Sequence, residues 1–127
     1  MQENHLFEYA VIRVVPRVER EEFLNVGIVL YCRKPVFLET IYALDEERLR
    51  ALHADIDIDQ LREYLKAFAL IAAGDINGGP IAKLDVASRF RWLTATRSTI
   101  IQTSKVHPGF CAEPQKAARK LFEEFVM

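Results

Sequence analysis

Two apolar, β-branched runs separated by a short charged connector place the tightest limit on what this chain can fold into. The first, Glu8-Tyr-Ala-Val-Ile-Arg-Val-Val-Pro16, ends in a proline that cannot donate to a strand ladder. The second, residues 24–32, resumes the same character after the connector at 17–22. Two such runs in succession predict an antiparallel pair. A third run at 36–44 follows the turn Arg33-Lys34-Pro35 and extends the pair to a meander. Alternation sets Tyr9, Val11, Arg13 and Val15 on one face of the first strand, so Arg13 is a charge among apolar neighbours. In the second strand it gives Leu24, Val26, Ile28, Leu30 and Cys32 a common face. Gly27 there is the mark of a bulge or of a close backbone approach.

From residue 45 onward the period changes from two to 3.6. Asp45 caps a short helix over 46–52, and Asp57 or Asp59 starts a second in which Leu61, Tyr64, Leu65 and Phe68 recur at helical spacing. Gly74, Gly78, Gly79 and Pro80 end it in a loop. Asp85 caps a third helix over 86–93, residues 98–104 read as a fourth strand, and His107-Pro108-Gly109 reads as a turn. Pro114 opens a closing helix with Ala118, Leu121, Phe122 and Phe125 on its apolar stripe. The expected architecture is α+β: an antiparallel sheet of about four strands, in the order β-β-β-α-α-α-β-α, packed against helices.

The 127 residues suit one domain spanning 1–127, and half of them are apolar, enough for a core without staples. The longest apolar runs fall far short of the roughly 20 residues that cross a bilayer. The opening Met1-Gln2-Glu3-Asn4-His5 lacks the pattern of a secretory leader, so a cytoplasmic location is expected. Cys32 and Cys111 are expected to be free thiols. His5, His53 and His107 are scattered singly, which gives no metal-ligand spacing, and no cofactor fingerprint is present. Charge is unevenly spread: residues 39–63 carry eight acids against three arginines, whereas 83–120 carry eight bases against two acids. Either solvated helix faces or a basic face for phosphate or an acidic partner accounts for this split.

Several residues are candidates for chemistry. Arg13 needs a partner to offset desolvation; Glu22 can supply it, pinning the first two strands, or an anionic ligand can. Arg20 in the connector follows the same logic. Asn25 can satisfy strand-end backbone groups or orient a ligand. Arg97 and Ser98, with Thr99, offer a guanidinium fork beside hydroxyls, suited to a phosphate or to turn chemistry. His107 carries an imidazole, a group used as a general acid or base, and stands four positions from Cys111, but no third group is evident to orient such a dyad. Trp92 with Phe90 is either core or a surface for stacking on a base. No hydrolase, zinc-protease, deaminase or P-loop motif is present, and whether the protein is an enzyme is left open.

The segments Tyr9-Ala-Val-Ile-Arg-Val-Val-Pro16, Glu22-Phe-Leu-Asn-Val-Gly-Ile-Val-Leu30 and Arg97-Ser-Thr-Ile100, with Arg89, Phe90 and Trp92, resemble the bacterial domain of unknown function 3037 family. The resemblance spans nearly the whole chain, and Asn25-Val-Gly-Ile-Val-Leu30 is its most specific part. It implies no catalytic residues. Members are often encoded beside a HipA-like kinase, so the resemblance implies a non-catalytic accessory module acting with such a protein partner. The competing expectation is a domain that binds an anion, a nucleotide or nucleic acid, or acts as an enzyme, through Arg13, Arg20, Arg97 and His107. Self-association into a homo-oligomer is compatible with either.

Overall fold

The computed structural model describes residues 4–127; Met1, Gln2 and Glu3, part of the stretch read for a leader, lie outside the described residues. Five strands form one antiparallel sheet: β1 (His5–Val14), β2 (Leu24–Cys32), β3 (Phe37–Tyr42), β4 (Ile101–Thr103) and β5 (His107–Cys111). Four helices complete the α+β fold: α1 (Glu46–Leu52), α2 (Ile58–Ala73), α3 (Val86–Leu93) and α4 (Pro114–Phe125). No helix among the described residues is long and apolar enough to cross a membrane.

The helix starts follow from single aspartates. Asp45, Asp57 and Asp85 each accept the backbone N–H three residues on, at 3.0–3.1 Å, and so satisfy a donor with no partner inside the helix. Gly74 ends α2 in the left-handed region at φ 67°, where a side chain would be strained. Pro114 opens α4 at the position where the missing N–H costs nothing.

The sheet is covered on both faces. Ala10, Ile12 and Val14 of β1 and Val29 and Tyr31 of β2 meet Leu49, Leu61, Leu65, Phe68, Phe90 and Leu93 of α1, α2 and α3. Phe7 and Val11 of β1, with Ile28, Leu30 and Cys32 of β2, meet Ala118, Leu121 and Phe122 of α4. Val26 joins the first of these clusters, not the second, so residues 24, 26, 28, 30 and 32 do not share one face as alternation predicts. The reason is a bulge: Ile12 pairs with Gly27 but Arg13 with Asn25, which leaves Val26 as the extra residue and reverses the alternation. Gly27 is required there by contact. A Cβ on it would lie 2.6 Å from the Ile41 carbonyl oxygen and 2.7 Å from Tyr42 Cβ on β3.

Residues 98–104 and 107–109 correct the expected topology. Strand β4 covers only 101–103, and His107-Pro108-Gly109 is not a turn but the start of β5. Both strands pair with the same edge of β1: β4 with Ile12–Val14 and β5 with His5–Tyr9. They form one edge strand interrupted at 104–106, because Ile12 faces Thr103 while Tyr9 faces His107, leaving one residue in excess. Ser104 repairs the gap. It donates its N–H to the Val11 carbonyl at 2.8 Å, and its hydroxyl accepts the Val11 N–H at 2.9 Å and donates to the Lys105 carbonyl at 2.9 Å. A side-chain oxygen replaces the carbonyl that a continuous ladder would have offered, so the Val11 N–H of the buried central strand is not stranded.

Candidate functional site

At the end of the sheet where β1 meets β4, the alternation of β1 brings Arg13 out on the face that holds Phe7, Tyr9 and Val11. Its guanidinium carbon lies 4.1 Å from the centroid of Phe23, and its Nε is buried without a hydrogen-bond partner. Glu22 does not pair with it, contrary to the ion pair expected between the first two strands. That carboxylate instead accepts from Nε of Arg20, its neighbour in the connector, whose short reach makes the local pair easier to close. This pair lowers the Glu22 pKa and raises that of Arg20, chiefly through the hydrogen bond between them. Both side chains are largely exposed, so the pair adds little to stability.

Arg97 reaches the same place from the other direction. It lies in the loop after α3, where Nη1 donates to the Leu93 carbonyl at 3.2 Å and Nη2 to the Trp92 carbonyl. Both acceptors belong to the negative end of α3, so the guanidinium caps the helix and complements its dipole. The group also stacks on Trp92, 4.2 Å from the ring centroid to Cζ. Partial burial pulls the Arg97 pKa below its ordinary value. Two of its five N–H donors are used by α3, and three are left for another acceptor. The loop itself is fixed by Thr99 Oγ1 donating to the Ile101 carbonyl, Gln102 Nε2 donating to the Thr99 carbonyl, and Val15 donating its N–H to the Ile100 carbonyl.

Arg13, Arg97, Ser98 and Gln102 line one concavity of about 390 Å³, together with Val18, Glu21 and Phe23. Gln102 is the cross-strand neighbour of Arg13, on the opposite side from Asn25. Among the described residues, no carboxylate lies within ion-pairing distance of either guanidinium. Two guanidiniums share a concave surface on which the carboxylate present, Glu21, pairs with neither, and one of them has a buried unpartnered donor; an anion would satisfy such a site.

The other sequence candidates lie apart from this pocket. Arg20 and Glu22 line a neighbouring concavity with Arg17 and His53. Asn25 donates Nδ2 to the Phe125 carbonyl at 3.2 Å, and Arg48 donates Nη1 to the Val126 carbonyl at 3.3 Å, so both tie down the end of α4. His107 is exposed on β5 and packs its ring against Tyr9 at 5.6 Å between centroids. Arg13 is four residue steps along the strand from Tyr9, about 13 Å at the rise of an extended chain. His107 therefore does not join the two arginines. Burial, with Cys32 nearby, raises the Cys111 thiol pKa, the opposite of the shift that activates a thiolate. Among the described residues, no three His, Cys, Asp or Glu side chains cluster in a way that could hold a metal ion.

Sequence reasoning passed over Phe23, Val18 and Glu21. Phe23 alone carried a signal, as an aromatic residue at the end of a charged connector. Trp92 and Phe90 divide their roles: Phe90 is fully buried and stacks on Tyr31 at 5.2 Å, while Trp92 is 40 % exposed beneath Arg97.

No curated protein and no solved structure shows a significant match to the chain. The family model described as "Protein of unknown function (DUF3037)" matches residues 9–126, which includes the bulged part of the β1–β2 pair, the Arg97 loop and α4. The chain belongs to the DUF3037 family.

Proposed function

We propose that this protein is an anion-binding domain whose site is the Arg13–Arg97–Ser98 pocket, with a phosphoryl group as the preferred anion. One observation carries the reading: two guanidiniums from sequence-distant elements line the same concavity, and no carboxylate, Glu21 of the same lining included, pairs with either. Arginine suits this task because its planar fork matches a tetrahedral oxyanion through two parallel N–H donors. The aromatic rings under each guanidinium hold it in place, which reduces the ordering cost of binding. Ser98 adds a hydroxyl that donates to an oxyanion oxygen. Crystals grown with tungstate, a heavy tetrahedral dianion, are expected to show anomalous density between Arg13 and Arg97. Density confined to Arg17, Arg20 and His53 instead, or none at all at millimolar tungstate, would count against the site.

A different feature supports a second reading, in which the domain docks on a protein. Leu6 and Phe110 are cross-strand partners on β1 and β5, and they are 55 % and 71 % exposed. A large apolar pair left in water at a sheet edge is a contact surface for a partner. The family resemblance suggests a HipA-like kinase as that partner. Co-expression with such a kinase is expected to give co-elution that Leu6→Glu with Phe110→Ser abolishes; co-elution unchanged by this double substitution would contradict the surface.

A further inference from the structure

The pocket is much larger than the anion that its arginines would hold. A concavity of about 390 Å³ falls in the range of about 300–1,000 Å³ typical of small-molecule and cofactor sites, whereas an inorganic phosphate fills only a small part of it. The rest of the lining is chemically mixed. Val15, Val18 and Phe23 supply apolar surface, and Val18 and Phe23 are exposed on the connector. Gln102 uses Nε2 on the Thr99 carbonyl and keeps its amide oxygen as an acceptor. Glu21 adds a carboxylate that pairs with neither guanidinium.

Glu21 also stands out by its backbone. It has φ 57°, and it is the single non-glycine residue with positive φ among those described. Its N–H donates to the Val18 carbonyl at the end of the 3-10 turn Val18–Arg20. Glycine would hold the same bend without strain, and a long acidic side chain there is what a purely structural turn would not select. An acceptor-only carboxylate in an otherwise cationic pocket repels a bare anion. It rewards a ligand that carries an anion at one end and hydrogen-bond donors at the other.

We infer that the pocket takes a nucleoside 5′-monophosphate, with the phosphate on Arg13, Arg97 and Ser98 and its hydroxyl or amino donors on Glu21 and Gln102. This rests on the anion-site reading above and assigns the substrate class to that site. The flat base meets the Val18 and Phe23 surface beside the phosphate on Arg13, whose guanidinium carbon lies 4.1 Å from the Phe23 centroid. Glu21 is then the specificity-determining residue: it discriminates against anions that lack donors, as an unpaired charge does against the wrong ligand.

Calorimetric titration of the intact chain with AMP, UMP, inorganic phosphate and a phosphoserine peptide tests this. AMP or UMP is expected to bind at least tenfold more tightly than inorganic phosphate. Glu21→Gln is expected to remove most of that tenfold gain while raising phosphate affinity, because the carboxylate that repels a bare anion is gone. Phosphate binding with no gain for either nucleotide would overturn the nucleotide assignment and leave the anion site standing. So would a phosphoserine peptide binding more tightly than both nucleotides. If none of the four binds, the anion site fails as well.

Discussion

Replacing Phe90 with alanine is expected to cost about 3–5 kcal/mol of folding stability, a large share of the roughly 5–15 kcal/mol that holds a domain together. Phe90 is completely buried on the inner face of α3, stacked on Tyr31 of β2 at 5.2 Å with the ring planes 30° apart. The ring fills the space where α3 meets the sheet. Truncation removes its transfer free energy and leaves a cavity that the sheet cannot collapse into, since β1 and β2 are covered on their other face by α4. Urea unfolding followed by circular dichroism is the measurement. The midpoint should fall while the slope stays near wild type; a loss under 1 kcal/mol would mean that α3 is not packed as described. The effect also reaches the site, because Arg97 is anchored to the carbonyls that end α3.

Arg13→Glu is expected to weaken phosphate binding by about a hundredfold or more. Removing one charge-assisted hydrogen bond forfeits about 1.5–3 kcal/mol, roughly 10–150-fold, and a carboxylate in its place adds repulsion. Folding should suffer little. Arg13 has no acidic partner to be stranded, its Nε is already without one, and its cross-strand neighbours Gln102 and Asn25 are neutral. What the fold loses is the contact with Phe23, about 0.5–1 kcal/mol at a partly exposed site. Arg97 is a less clean probe: its alanine variant would uncap α3 as well as empty the site.

Features set by neighbours in sequence were legible before the fold was known. The caps Asp45 and Asp85, with Gly74 and Pro114, act within one helical turn, so local sequence locates them; for α2 it narrows the cap to Asp57 or Asp59, of which Asp57 is the one. Gly27 announced an irregularity in β2, but only pairing with β1 shows that the extra residue is Val26 and that the inward face changes there. β5 was misread because His-Pro-Gly has turn composition. Its extended form is imposed by β1 across nearly the whole length of the chain, and Gly109 is needed because the Phe7 ring lies where a Cβ would stand.

The site divides in the same way. Alternation alone marked Arg13 as a charge that strand packing does not explain, and the basic Arg97–Ser98 dipeptide was visible in sequence. That the two share a pocket follows from β4 pairing with β1, a contact between residues about ninety positions apart. The Arg13–Glu22 pair was the natural inference from a linear view, and it fails because Glu22 has a closer arginine at position 20. His107 was grouped with the arginines by charge type and is separated from them by the length of a strand segment.

Whether Arg13 and Arg97 together hold an anion is read by a calorimetric titration of inorganic phosphate into wild-type protein and Arg13→Glu at low ionic strength, where screening is weakest. Saturable binding to the wild type, lost in a variant that unfolds at nearly the same urea concentration, is the predicted result. Equal affinity in the two proteins, or no heat from either, would contradict it.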